Sequence, residues 1–208
     1  NQDKPSSGQV DTAPENPARQ MKVDLAVQER AKPEYVERKV SQLPVEDTGK
    51  LSQELEGEFG LLTAENPMRQ TLTEEENAEL NKKAEAWLKK RNYTPRRVSG
   101  KYGQAENSFF VPGLTKEDAI EFAKEFNQES VAHSEGLIYQ DGSVNPRDKS
   151  KDDFSLKGFD NKSDEVSVVN TAEGPKTFKV GYDFATKVEQ APAKPAAVEA
   201  APSPTKPA

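Results

Sequence analysis

Glu106, Ser108, Gln128, Glu129 and His133 are the residues whose types could do chemistry together in this chain. Glu106 and Ser108 stand two apart, so a strand would turn both to one face. His133 is the single histidine. A carboxylate beside one imidazole can hold a general base near neutral pH. Ser108 with His133 and either glutamate has the residue types of a hydrolase triad, and Tyr102 lies nearby in sequence. A plainer account also holds: Gln128 and Glu129 end a helix, Ser108 bonds to backbone, and His133 sits half-buried in a sheet. There is no G-x-S-x-G turn, and Ser108 falls inside a strand-like run rather than on an elbow. A small hydrolase or transferase using Glu106/Ser108/His133 is therefore the alternative reading.

A second constellation is basic: Lys82, Lys83, Lys89, Lys90, Arg91, Arg96, Arg97 and Lys101, with Tyr93 among them. Clustered cations with an aromatic residue suit phosphates and a stacked base. The same stretch carries Glu74, Glu75, Glu76, Glu79 and Glu85, and Glu79–Lys83 and Glu85–Lys89 have the i,i+4 order that supports a helix. Residues 55–142 hold 11 basic and 16 acidic residues, and the whole chain is net −7, so nucleic acid is steered away and binding through Lys89, Lys90, Arg91 and Arg97 is expected to be weak. Cysteine is absent, which removes thiolate metal sites and cysteine nucleophiles. Asp148, Ser150, Asp152 and Asp153 lack the glycine and terminal glutamate of a calcium loop. No metal and no cofactor is expected.

The elements that must position these residues follow from pattern. Thr73 and Glu76 have capping-box spacing. Leu80, Ala84, Trp87 and Leu88 continue one stripe, predicting a helix over 74–91. Thr115 and Asp118 open a second helix, with Ala119, Ile120, Phe122, Ala123 and Phe126 on its apolar face. Residues 58–64, 94–102, 107–111, 130–133 and 137–140 read as strands. Val166 and Val168, then Phe178, Val180, Tyr182 and Phe184, alternate as a terminal hairpin. The expected fold is α+β: a small, mostly antiparallel sheet with two helices on one face, in the split β-α-β order of ferredoxin-like folds, plus the hairpin.

Hydrophobic residues make up only 33% of the chain, and 15 residues are proline. Residues 1–54 are expected to be a disordered or weakly helical arm, 55–187 one domain with a polar loop at 143–163, and 188–208 a Pro/Ala-rich linker or tail. A helix around 34–43 would align Tyr35, Val36, Val40 and Leu43. No run approaches a membrane span, and no apolar signal segment is present. The chain opens on Asn1 rather than Met, so we expect a processed product or a segment of a longer polypeptide.

Three motifs carry a resemblance. Residues 63–67 read T-A-E-N-P, residues 100–113 read G-K-Y-G-Q-A-E-N-S-F-F-V-P-G, and residues 126–133 read F-N-Q-E-S-V-A-H. Over about residues 58–142 this run resembles a family of small bacterial and phage domains of unknown function. The resemblance implies an architecture and a set of polar residues, with no reaction attached. Together with the Asn1 start and the proline-rich flanks, it leads us to expect an accessory or protein-interaction domain of phage or mobile-element origin, and with no signal or membrane-spanning segment in the sequence a cytoplasmic or virion-associated setting is expected. Tyr102, Gln128 and Glu129 are the expected binding residues and a protein the expected partner. The long acidic arm and the insertion at 143–163 depart from the family pattern.

Overall fold

The computed structural model describes residues 16–102, 104–162 and 165–184. Among these, the chain forms α1 (Pro17–Arg30), α2 (Pro33–Ser41), β1 (Val45–Glu46), α3 (Thr48–Leu55), β2 (Phe59–Leu62), α4 (Glu74–Lys90), β3 (Arg96–Tyr102), β4 (Gln104–Pro112) and α5 (Lys116–Glu125). After these come β5 (Ser130–His133), β6 (Gly136–Tyr139), β7 (Val144–Pro146), β8 (Asp153–Gly158), β9 (Val166–Thr171) and β10 (Lys176–Lys179). None of these helices is long and apolar enough to cross a membrane.

The sheet runs β7-β6-β5-β2-β4-β3-β9-β10-β8, antiparallel along this path, and curls into a half-barrel. The short β1 pairs in parallel with the end of β9. The α+β class and the antiparallel sheet are as expected. The two-helix, ferredoxin-like description is not confirmed: the described residues hold five α-helices, and the sheet continues on both sides of the β5-β2-β4-β3 quartet. Of these flanking strands, β6 and the β9–β10 hairpin match expected strands, whereas β7 and β8 lie in the stretch expected to be a polar loop.

The helix expected over 74–91 forms as α4, and its capping box is complete. Thr73 Oγ1 accepts from the Glu76 amide at 3.2 Å, and Glu76 Oε2 accepts from the Thr73 amide at 2.9 Å. On one face of the sheet, Ala84 and Leu88 of α4 and Ala119, Phe122 and Ala123 of α5 pack on Leu62, Phe109, Val111, Val131 and Ile138. Leu51 and Leu55 of α3 pack on the opposite face, with Phe59, Val98, Phe110 and Phe178.

Residues 17–55 are not the arm expected from their proline content. Two of the prolines stand at the first turns of α1 and α2, where a missing N–H costs no helical bond. The apolar face anticipated for 34–43 is real: Tyr35, Val36, Val40 and Leu43 are buried against Ala105, Val166 and Val168. The segment 143–163 likewise contains β7 and β8 rather than one loop. The strict alternation of 178–184 outlasts its strand. β10 stops at Lys179 because the loop at 148–152 takes the next backbone groups: the Gly181 amide donates to Asp152 and the Gly181 carbonyl accepts from the Asp148 amide. A Cβ at Gly181 would lie 2.0 Å from the Asp148 carbonyl oxygen, so only glycine allows that approach. The expected tail at 188–208 lies outside the described residues.

Removing residues 1–44 should therefore uncover Ala105, Val166 and Val168. Each buried aliphatic or aromatic side chain contributes roughly 1.5–3 kcal/mol, so the truncated chain should melt well below the full chain. An unchanged melting temperature would show that α1 and α2 contribute nothing.

Candidate functional site

The inward face of the half-barrel is filled unevenly. Directly opposed residues share a face, so the pairings Leu61↔Phe110, Val98↔Ser108, Gly100↔Glu106, Gly100↔Ser167 and Leu61↔Ala132 define one continuous surface. At one end phenylalanines and α3 fill it. At the other the positions are Gly100, Ser108, Ser130, Ala132 and Ser167, all small, and the face stays hollow: a cavity of about 840 Å³ opens there. Leu61, Leu137, Tyr139, Tyr182 and Phe184 supply its apolar wall, and Glu106, Ser108, Gln128 and Glu129 lie along its polar side.

A hydrogen-bonded network holds that polar side in place. Glu65, which is 3% exposed, accepts at Oε1 from Asn81 Nδ2 of α4 at 2.8 Å and from Asn107 Nδ2 of β4 at 2.7 Å. Its backbone carbonyl accepts from Gln128 Nε2 at 3.2 Å, and its amide donates to Thr63 Oγ1. Asn66 Oδ1 accepts from the Leu72 amide at 3.0 Å and from Asn77 Nδ2 at 3.2 Å, while Asn66 Nδ2 donates to Glu106 Oε1 at 3.0 Å. The T-A-E-N-P turn, the E-N-S strand and the helix exit at Gln128 are thus one unit. Asn66, Met68, Arg69 and Asn127 all have left-handed backbone, with φ of 49°, 49°, 62° and 49°. Such residues cost on the order of 1–3 kcal/mol each and persist where surrounding contacts over-determine them. Met68, Arg69 and the Asn66 turn form the cavity rim.

The structure brings together Glu106, Ser108, Gln128 and Glu129 but not His133. Strand alternation is the reason: Ser130 and Ala132 of β5 face the cavity, while Val131 and His133 face α5. His133 is fully buried; its Nδ1 accepts from the Glu135 amide at 3.2 Å, so Nε2 carries the proton and donates to the Leu114 carbonyl at 2.8 Å. The expected Glu106/Ser108/His133 face is not assembled. Glu129 forms an ion pair with Arg69 at 2.9 Å. Tyr102 ends β3, and its side chain lies outside the described part of the structure.

The basic cluster is largely spent on local pairs. Arg91 lies 3.6 Å from the Trp87 ring centroid and pairs with Asp118 and Glu121. Arg97 and Lys89 both reach Glu85, and Arg96 is held between Glu46 and Glu54. Lys90 is exposed. Among the described residues, no group of His, Asp and Glu side chains has the arrangement of a metal site.

Sequence reasoning missed Glu65, Asn66 and Asn107, which stood within the motifs as unassigned positions, and Met68 and Arg69, whose left-handed backbone no residue type announces. It also missed Tyr182 and Phe184 as cavity walls, since a hairpin pattern does not say which face closes.

Glu106 titrates abnormally. Burial pushes its carboxyl up to about 6; the nearby Glu65 adds to this, while the Asn66 hydrogen bond and Arg30 oppose it. A carboxyl raised in the folded state binds its proton more tightly there than in the unfolded chain. Stability is then fully present below pH 4.5 and falls as pH rises towards about 6. Glu106→Gln keeps an acceptor for Asn66 and never ionises. It should stabilise the protein at pH 7.5 by roughly 1–2 kcal/mol and leave stability nearly unchanged at pH 4, as measured by denaturant unfolding. A pH-independent difference would contradict this.

No curated protein and no solved structure matches the chain. A family model does match, and it spans every member of the network from Thr63 to Gln128, but not the walls at Leu137, Tyr139, Tyr182 and Phe184. Residues 62–131 match the family described as a protein of unknown function, DUF3293, consistent with the family of uncharacterised domains that the motifs resemble.

Proposed function

We propose that this protein is a non-catalytic protein-interaction domain whose cavity accepts a segment of its partner. The observation that carries this reading is that the motif residues Glu106, Ser108, Gln128 and Glu129 converge on one cavity of ligand size, while the imidazole that a Glu106/Ser108/His133 triad would need faces the other side of the sheet. The strained rim at Asn66, Met68 and Arg69 supports a site over plain packing. An exposed methionine there, 44% accessible, adapts to varied apolar surfaces. An origin in phage or mobile elements, with a cytoplasmic or virion-associated setting, belongs to the same proposal and rests on the motif resemblance. The β5-β2-β4-β3 order with α4 and α5 on one face supports reading residues 59–133 as a split β-α-β unit to which the remaining elements are added. The pairing of Arg91, Arg96 and Arg97 with acids weighs against the nucleic-acid reading.

Selection from a displayed peptide library should enrich sequences that bind the full chain and lose at least about tenfold in affinity to Ser108→Trp and Ala132→Trp, which fill the cavity. Lys83→Glu, on the exposed side of α4, should bind them unchanged. Peptides indifferent to both cavity variants would contradict the proposal.

A further inference from the structure

Glu106 is a carboxylate in a cavity wall with no ion pair among the described residues. One oxygen accepts from Asn66 at 3.0 Å; among the described residues no ion pair and no second hydrogen bond reaches the other. The charged residues around the cavity are Glu65, Glu106, Glu129 and Arg69. Arg69 is committed to Glu129 at the rim and its side chain is 79% exposed. Arg30 approaches from α1: its Nε lies 3.4 Å from Glu74, its Nη1 is buried without a partner, and its charge only partly offsets that of the three carboxylates. Glu65 has its own donors in Asn81 and Asn107. The wall therefore presents negative charge to whatever enters. Ser108, two residues along the same strand face, presents a hydroxyl that takes no part in the hydrogen bonds of the described residues and offers a second acceptor. Leading to this pair are apolar surfaces, Leu61, Ala132 and Leu137, and the rings of Tyr139 and Tyr182.

We propose that the cavity recognises a primary ammonium group on an unbranched apolar stem, the chemistry of a lysine side chain on the partner, with Glu106 as its counter-ion and Ser108 as a second acceptor. This rests on the cavity being the binding site. A compact ammonium suits one carboxylate oxygen and one hydroxyl, whereas a guanidinium is matched by a bidentate carboxylate with both oxygens free. A neutral donor would leave Glu106 ionised and uncompensated in a poorly solvated wall, which is the costly arrangement.

The test uses the full chain, ¹⁵N-labelled, titrated at pH 8 with n-butylammonium chloride and separately with 1-butanol at matched chloride. Butylammonium should shift the amides of Glu106, Ser108 and Ala132 with a Kd at least about fivefold below that of 1-butanol. Glu106→Gln, which folds stably by the linkage above, should bring the two probes within about twofold. Replacing lysine by norleucine in library-selected peptides should cost them at least about fivefold in the wild-type protein and nothing in Glu106→Gln. Equal binding of the two probes, a preference that survives Glu106→Gln, or no cavity shift with either probe overturns the inference. With equal binding, the cavity reading still stands; with peptides indifferent to Ser108→Trp, the cavity reading itself falls. Spermidine binding tighter than butylammonium, together with no norleucine effect, overturns the assignment to a partner's lysine.

Discussion

A single buried carboxylate, Glu65, joins the parts on which the site depends. Its Oε1 takes donors from two elements, Asn81 of α4 and Asn107 of β4, and its backbone carbonyl takes Gln128 at the exit of α5, while Oε2 is buried without a partner. Removing the side chain would leave two half-buried amides without this acceptor, so the carboxyl ties the neighbouring elements together. The left-handed turn at Asn66 follows from this constraint. Its side chain fixes Leu72, Asn77 and Glu106 in one stroke, and the rim residues Met68 and Arg69 take the backbone conformations that remain.

The strand β4 divides its labour by parity. Asn107 points to the helices and serves the fold, while Glu106 and Ser108 point into the cavity. Three adjacent residues of one motif thus play two roles, and the roles alternate because side chains on a strand alternate. The same rule sends His133 to the helix side and Ala132 to the cavity. Side-chain size completes the division. Phenylalanines close one end of the half-barrel, and glycine, serine and alanine leave the other open. The fold favours the protonated Glu106, so the stability this group contributes is lost as pH rises through about 6.

Much of this was legible in the residues. The capping box and stripe of α4 were read to within a residue, because Thr73, Glu76 and the 3.6-residue period act locally. The strands at Phe59–Leu62, Ser130–His133 and Gly136–Tyr139 were legible from short apolar runs. That Glu106 and Ser108 share a face followed from spacing alone; that His133 faces away did not, because sheet register depends on partners distant in sequence. The proline-rich start of the chain was misread because Pro17 and Pro33 begin helices rather than end them. β7 and β8 were hidden because each borrows its stability from a neighbouring strand. The Glu65 network could not be read at all: a glutamate in a turn looks solvated until the asparagines that surround it are placed.

A double-mutant cycle between Glu65→Ala and Asn107→Ala, measured by denaturant unfolding at pH 7.5, tests the network most directly. Each single change should destabilise, and the coupling between them should be at least about 1 kcal/mol, the size of an intramolecular hydrogen bond. Additivity to within about 0.5 kcal/mol would mean that the two side chains act independently and that Glu65 does not hold the site together.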